Sequence, residues 1–328
     1  METNCKQIKA EYELLQAHVA EFALVVESIR AEDKDGKPVD RERLQKAKME
    51  KKRLSAARDV LREKLFISVR GVRELIGAEN VYGPEEIATA FGFAVKNIPP
   101  IPYRRADLEK AKQLGEMLVL RVSVDGEGNP MTMKRMNEIM AGRMDAAEGK
   151  LLYSQKEQGK AGLQDDCWYE NEAFFMSVPL KMEWKLVSKD FIADSTNKDY
   201  VGQTRVLRDH LQQIGALTPE EATGCSDRVL EQIFELMKTD WKKAAGMLVD
   251  LGVNKNHRRA PVEILYDWLL RFKNRQERGI LEGKYDWSCA LSSLGFLVAI
   301  GSADSSGVSV DYWLPVSRNV CLGVCSSR

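Results

Sequence analysis

The 328-residue chain has no apolar run near the roughly 20 residues that a membrane-spanning helix needs. Its opening residues, METNCKQIKAEYELLQ, carry neither the charged start nor the apolar core of a secretory signal, so a cytoplasmic location is expected. A charge excess is missing as well, because 49 Lys and Arg stand against 49 Asp and Glu. Phosphate neutralisation needs a clustered positive surplus, and a general nucleic-acid binder is therefore not expected. The six cysteines (Cys5, Cys167, Cys225, Cys289, Cys321, Cys325) include no CxxC pair, which signals neither a disulfide framework nor a zinc site. The glycines of Asp125-Gly-Glu-Gly-Asn-Pro130 lack both GxGxxG and the Lys-Ser/Thr of a P-loop and read as a plain turn. His18, His210 and His257 have no companion motif, so no catalytic set and no cofactor site is visible.

What is present is the composition of a soluble globular protein, 44% hydrophobic and 30% charged, long enough for two domains. From Glu2 to Glu32 apolar residues recur at helical spacing (Ile8, Tyr12, Leu15, Val19, Phe22, Val26, Ile29), and a second helical stretch runs from about Asp40 to Leu65. Gly36 and Pro38 break the helix between them, so residues 1–80 are expected to form a helical hairpin. Such a hairpin cannot bury both apolar stripes alone; it must pack on the rest of the chain or on further copies, which makes it a candidate homo-oligomerisation or docking element. The fragment Asp33-x-Asp35-Gly36 lacks the later ligands of a calcium loop.

Beyond it, Pro84 opens a helix, Ile98-Pro-Pro-Ile-Pro-Tyr103 is an extended linker, and Arg105–Gly115 is helical. Glu116–Val124 and Glu183–Ser188 read as strands. Helices are expected over Tyr200–Gly215, Ser226–Leu251 and Pro261–Arg275, the last burying Ile264, Leu265, Trp268, Leu269 and Phe272 on one face. His257-Arg258-Arg259 reads either as an anion clamp or as a solvated loop touching nearby acids.

The last 44 residues break the composition. The preceding chain holds 26 Lys, 29 Glu, 12 Gln and 12 Met, whereas Tyr285–Arg328 contains none of the four. In their place are Ser, Val, Gly, Cys and aromatics, patterned as three antiparallel strands over Gly295–Gly301, Gly307–Trp313 and Val320–Ser326. In the second of these, Val308 and Val310 share one face and Ser309 and Asp311 the other, predicting one packed and one solvated face.

Tyr285-Asp-Trp-Ser, Ser292-Ser293, Gly295, Leu297-Val298, Gly301, Gly307, Val310, Trp313-x-Pro315, Leu322-Gly323 and the final Ser-Ser-Arg resemble the variable region of diversity-generating retroelement target proteins, as do Glu183–Asp190, Asp194–Tyr200 and Arg259–Asp267 elsewhere. The resemblance covers roughly residues 84–328. It implies an α+β chain: a C-type lectin-like domain with a mixed or antiparallel sheet over residues 81–328, its variable region at 285–328, preceded by the α-helical hairpin. In that family template adenines are replaced at random, and AAY codons varied at their first two bases never yield Lys, Glu, Gln, Met or Trp. Four of those five types are missing here, and Trp287 and Trp313 stand at motif positions.

The resemblance also implies a division of labour. Trp287, Gly295, Leu297, Val298, Gly301, Gly307, Val310, Trp313, Pro315, Leu322 and Gly323 would be scaffold. Cys289, Ala290, Leu294, Phe296, Ala299, Ser302, Ala303, Ser309, Asp311, Tyr312, Leu314, Arg318, Asn319 and Val320 would be display positions facing solvent, with Phe296 and Tyr312 equally readable as core. The expected partner is an unknown macromolecule, most simply a protein, bound without metal or membrane. Asp286, Asp304 and Asp311 come with no calcium-ligand run, so no calcium is expected. Two rival readings remain. One is a structural or assembly protein of a virus or cell. The other is a formylglycine-generating-type oxidase using Cys321 and Cys325, which stand ~13 Å apart along a straight strand, beyond disulfide reach without a bend.

Overall fold

The structure is a computed structural model that describes residues 2–34, 41–65, 67–144, 151–153, 167–305 and 307–328. The chain is mixed α/β, with thirteen α-helices and two small mixed sheets among the described residues. None of these helices is long and apolar enough to cross a membrane. By contact density the chain divides into two units, Met1–Leu75 with Pro100–Leu108, and Ile76–Pro99 with Glu109–Arg328.

The first unit is built on α1 (Glu2–Lys34) and α2 (Arg41–Leu65), which pack on one another, and most of α3 (Val69–Ile76). Residues 35–38 of the expected turn, and with them the Asp35-Gly36 fragment, lie outside the described residues. The hairpin core is small: Val26, Ile29 and Ala47 are buried, with Phe22, Val25 and Leu44 packed around them. Leu14, Leu24 and Met49 are more than half exposed.

The second unit holds the sheets. β1 (Val81–Tyr82) is followed by α4 (Pro84–Phe91), α5 (Arg105–Leu114), β2 (Glu116–Arg121), α6 (Met133–Ala141), α7 (Ala173–Met176) and β3 (Glu183–Ser188). β2 is central, parallel to β1 and antiparallel to β3, with Leu118 opposite Leu186. Five helices follow: α8 (Tyr200–Gln213), α9 (Pro219–Gly224), α10 (Asp227–Met237), α11 (Trp241–Asp250) and α12 (Gly252–His257). The single helix expected over Ser226–Leu251 is thus two, because the Asp240 carboxylate accepts the Lys243 amide and starts a new helix there. Next comes α13 (Pro261–Arg275), which buries ten side chains and not one face, as a helix enclosed on all sides must.

The second sheet has the order β6-β5-β4-β7, from β4 (Tyr285–Leu291), β5 (Leu297–Asp304), β6 (Gly307–Trp313) and β7 (Leu322–Gly323). Two expectations are corrected here. Tyr285–Leu291 is itself a strand and takes the place beside β5, so the last strand shrinks to two residues and runs parallel to β4. The residues after it leave the sheet: Ser327 bridges to Val187 of β3, and Leu186 and Arg328 exchange both backbone hydrogen bonds.

On β6 the two faces differ as expected, with Val308 and Val310 buried and Ser309 and Asp311 half-buried, but β5 beside it has no open face. Leu297 and Ala299 point to a helical core with Trp287, Leu322, Tyr200, Leu207, Ile233 and Leu248, while Val298 and Ile300, on the other face, are equally buried. At Gly301 β4 comes so close that a Cβ would sit 2.0 Å from the Lys284 carbonyl oxygen, which leaves room for glycine alone.

A buried ion network ties the two sheets together through α13. Arg121 of β2 donates to Asp267 (Nη2, 2.7 Å) and Glu263 (Nη1, 2.6 Å), and Arg259 donates to Asp286 of β4 (Nη2, 2.6 Å; Nε, 2.9 Å) and Asp267 (3.3 Å). Arg258 is buried too; its guanidinium lies 4.0 Å over the Tyr200 ring and donates to the Trp287 carbonyl. His257-Arg258-Arg259 is therefore neither a solvated loop nor an open clamp. Its charges are spent inside, where removing one partner is costly.

Candidate binding face

Burial sorts the display positions. Leu294, Tyr312, Leu314, Arg318 and Val320 are exposed, and Cys289, Ala290, Phe296, Ser302, Ser309, Asp311 and Asn319 are half-buried. Ala299 and Ala303 are buried, at 0% and 1% exposure, which corrects their placement on a solvent face. Because β5 is covered on both sides, exposure survives only where the strands end. The β4–β5 turn supplies Leu294 and Phe296, the end of β6 supplies Tyr312, and the connection to β7 supplies Leu314, Arg318 and Val320. Of the scaffold positions, Gly295 and Trp313 are half-buried and the remainder buried.

Phe296 and Tyr312 are neighbours because Leu297 pairs with Trp313 and Val298 with Tyr312. Their rings stand in a row, Trp241–Phe296–Tyr312–Trp168, each link 4.9 Å between centroids. All four rings keep some contact with solvent, Tyr312 at 44% exposure, so the row is at once a packing seam and a surface. Tilted and edge-on pairs at this spacing contribute about 0.5–1.5 kcal/mol each beyond their buried area. Lys242 closes the row at one end, with Nζ 5.5 Å over the Trp241 ring, and Trp168 is anchored by donating Nε1–H to the Val310 carbonyl at 3.0 Å.

The loops of this rim are tethered. The buried Glu172 accepts both the amide (2.7 Å) and the hydroxyl (2.8 Å) of Ser293, and Gly295 completes the turn at φ 89°. On the far connection Pro315 and Asn319 accept the amides of Tyr200 and Asn197. Arg318 is exposed yet not free: its Nε and Nη2 donate to Asp199, whose other oxygen caps α8 through the Gly202 amide. Aromatic groups on pinned backbone lose little entropy on binding, which is how preorganised recognition surfaces gain affinity.

Asp311 lies on the opposite face of β6 from Tyr312. Burial raises its carboxyl above the usual range, opposed only by the Tyr312 amide at 2.7 Å. Burial also pushes the Cys289 thiol up to about 12 and lifts Cys325 further, so neither carries thiolate at neutral pH. Cys321 and Cys325 are both free; the first contacts the Asn319 side chain, the second the Asp190 carbonyl. Among the described residues no group of three or more His, Cys, Asp or Glu is placed to hold a metal ion.

Trp168, Trp241 and Glu172 are parts of this face that the sequence reading did not include. Their signal was weak, because each is distant in sequence from the tail. The composition break drew attention to residues 285–328 and away from them. Comparison of the chain with family models, curated proteins and solved structures finds no match.

Proposed function

We propose that the chain is a ligand-binding protein whose rim, formed by Leu294, Phe296, Tyr312 and Leu314 around the aromatic row, holds a macromolecular partner, most simply a protein surface. One coincidence carries the reading: these exposed or half-buried positions bear aliphatic and aromatic groups, and they lie in a segment that contains no Lys, Glu, Gln or Met. Contiguous exposed apolar groups on a soluble protein mark interaction sites, and aromatics dominate binding hot spots. The finer parts of the proposal are a C-type lectin-like organisation of residues 81–328, a cytoplasmic location, non-enzymatic action, and diversification of the tail by a retroelement through adenine mutagenesis.

The flanking DNA tests it. An adenine-rich near-repeat of the tail's coding sequence beside a reverse-transcriptase gene is expected, differing from it only at template adenines and mainly in codons 294, 296, 312, 314, 318 and 320. Absence of a template, or substitutions spread evenly over all four template bases, would overturn the retroelement reading.

The exposed Leu14, Leu24 and Met49 of the hairpin favour a second role for the first unit, self-association. Light scattering on the full chain is expected to give a multiple of its 37.1 kDa mass; a monomer at all concentrations excludes it.

A further inference from the structure

Apart from the aromatic row, the second unit carries a cavity of about 290 Å³ at the start of α8, walled by Lys198, Asp199, Gly202, Arg205, Phe234 and Arg318 among others. Its size sits at the lower end of the ~300–1,000 Å³ usual for small-molecule sites. Of these six residues only Arg318 belongs to the tail.

Three of the wall residues are cations and one is a carboxylate, and the carboxylate is already occupied. Asp199 takes the Gly202 amide on one oxygen (2.8 Å) and Arg318 on the other (3.1 and 2.5 Å). Arg318 keeps Nη1 uncommitted among the described residues. Arg205 meets Asp227 only loosely, at 3.6 Å, and Asp227 is shared with Arg208 at 2.9 Å. Lys198 has neither an ion pair nor a hydrogen bond among the described residues. Its stem lies along Gly202, where an added Cβ would come within 3.2 Å of the Lys198 Cβ. The wall thus has two positive charges in surplus, gathered in a concavity whose low-dielectric sides strengthen their field. Phe234 adds a flat apolar wall beside them.

We infer that this cavity binds a small phosphomonoester: the dianion meets Lys198, Arg205 and the free edge of Arg318, and the organic substituent lies against Phe234. Two surplus charges match a phosphate dianion, whereas a carboxylate would leave one of them unanswered, and forked guanidiniums with a point-charge ammonium suit a tetrahedral oxyanion. The inference is independent of the display reading. It can fail while the rim still binds its partner, because Lys198, Arg205 and Phe234 lie outside the tail.

Calorimetric titration of the full chain with phenyl phosphate, inorganic phosphate and benzoate tests it. The expected result is saturable one-to-one binding of phenyl phosphate, tighter than inorganic phosphate and tighter than benzoate. Lys198→Ala and Arg205→Ala should each weaken it about tenfold, the order of one charge-assisted hydrogen bond. Phe234→Leu should erase the preference for phenyl phosphate over inorganic phosphate and leave phosphate binding intact. Lys198→Gln, which keeps the stem along Gly202, should weaken binding by a similar factor with an unchanged melting temperature, separating loss of charge from misfolding. Absence of saturable heat up to about 10 mM phenyl phosphate, weaker than any useful site, overturns the inference. So does unchanged binding in both lysine variants, or a preference for benzoate.

Discussion

Strand β5 and the rim around its first residues share one composition and live in opposite surroundings. Leu297, Val298, Ala299 and Ile300 are wholly buried on both faces, while Leu294, Tyr312 and Leu314 meet solvent. Burial accounts by itself for the lack of Lys, Glu and Gln in β5, since such side chains are almost never enclosed without partners. It does not account for their lack at the rim, where Lys and Glu are what a surface ordinarily carries, nor for the lack of Met anywhere in the tail. The absence of these residue types is therefore unusual only at the exposed positions. Half of what made the segment conspicuous is ordinary core.

The largest effects of substitution are expected in the core. Asp286→Asn leaves Arg259 enclosed without its nearest countercharge and should cost about 3–5 kcal/mol in chemical denaturation, the usual result of removing one member of a buried pair. Ala299→Phe should cost about 1–3 kcal/mol, because β5 has no space on that face. A silent Ala299→Phe would mean that the strand is open to solvent after all and that the display set extends along it.

The difference between these regions also explains what could be read from sequence. Strands β2, β3, β5 and β6 and helices α8 and α13 follow from short-range pattern, and their positions were expected. The alternation in Val308-Ser-Val-Asp311 marks one packed and one more open face on β6, an edge strand, and says nothing of its neighbour β5. The continuous apolar run Leu297–Ile300 is buried on both faces, a pattern that the placement of Ala299 on a solvent face overlooks. β4 was missed because Asp286 and Ser288 look like surface residues; both are buried, satisfied by Arg259 and by the Val298 carbonyl. The same long-range pairing hid the burial of Arg258 and Arg259. Partners 27 and more residues apart leave no local trace.

Two aspartates sharpen the contrast at a smaller scale. Burial raises the carboxyl of both, but Asp286 has Arg259 against that shift, whereas Asp311 has only the neighbouring amide. A raised carboxyl binds its proton more tightly in the folded chain than in the unfolded one, so its contribution is favourable at low pH and is lost as pH climbs from about 4, the unfolded value. Asp311→Asn should therefore be relatively more stable than the parent at pH 7 than at pH 3. Thermal unfolding at the two values decides it, and an opposite sign would mean that Asp311 has a cationic partner.

The smallest effects are expected at the exposed tips of the tail, where variation would have to be tolerated. Leu294→Ser and Val320→Ser remove side chains that are 62% and 72% exposed, and each should shift stability by no more than about 0.5 kcal/mol. Tyr312→Ser should cost more, about 1 kcal/mol, because it breaks ring contacts with both Phe296 and Trp168. Arg318→Ala belongs with Tyr312 and not with the free positions, since Asp199 loses a partner at the cap of α8. A surface built to vary must tolerate such changes at its tips and resist them beneath, so the ranking matters more than any single value. If Leu294→Ser or Val320→Ser proves as damaging as Ala299→Phe in the same denaturation series, these tips are part of the packing of this chain, and their aliphatic groups need no partner to explain them.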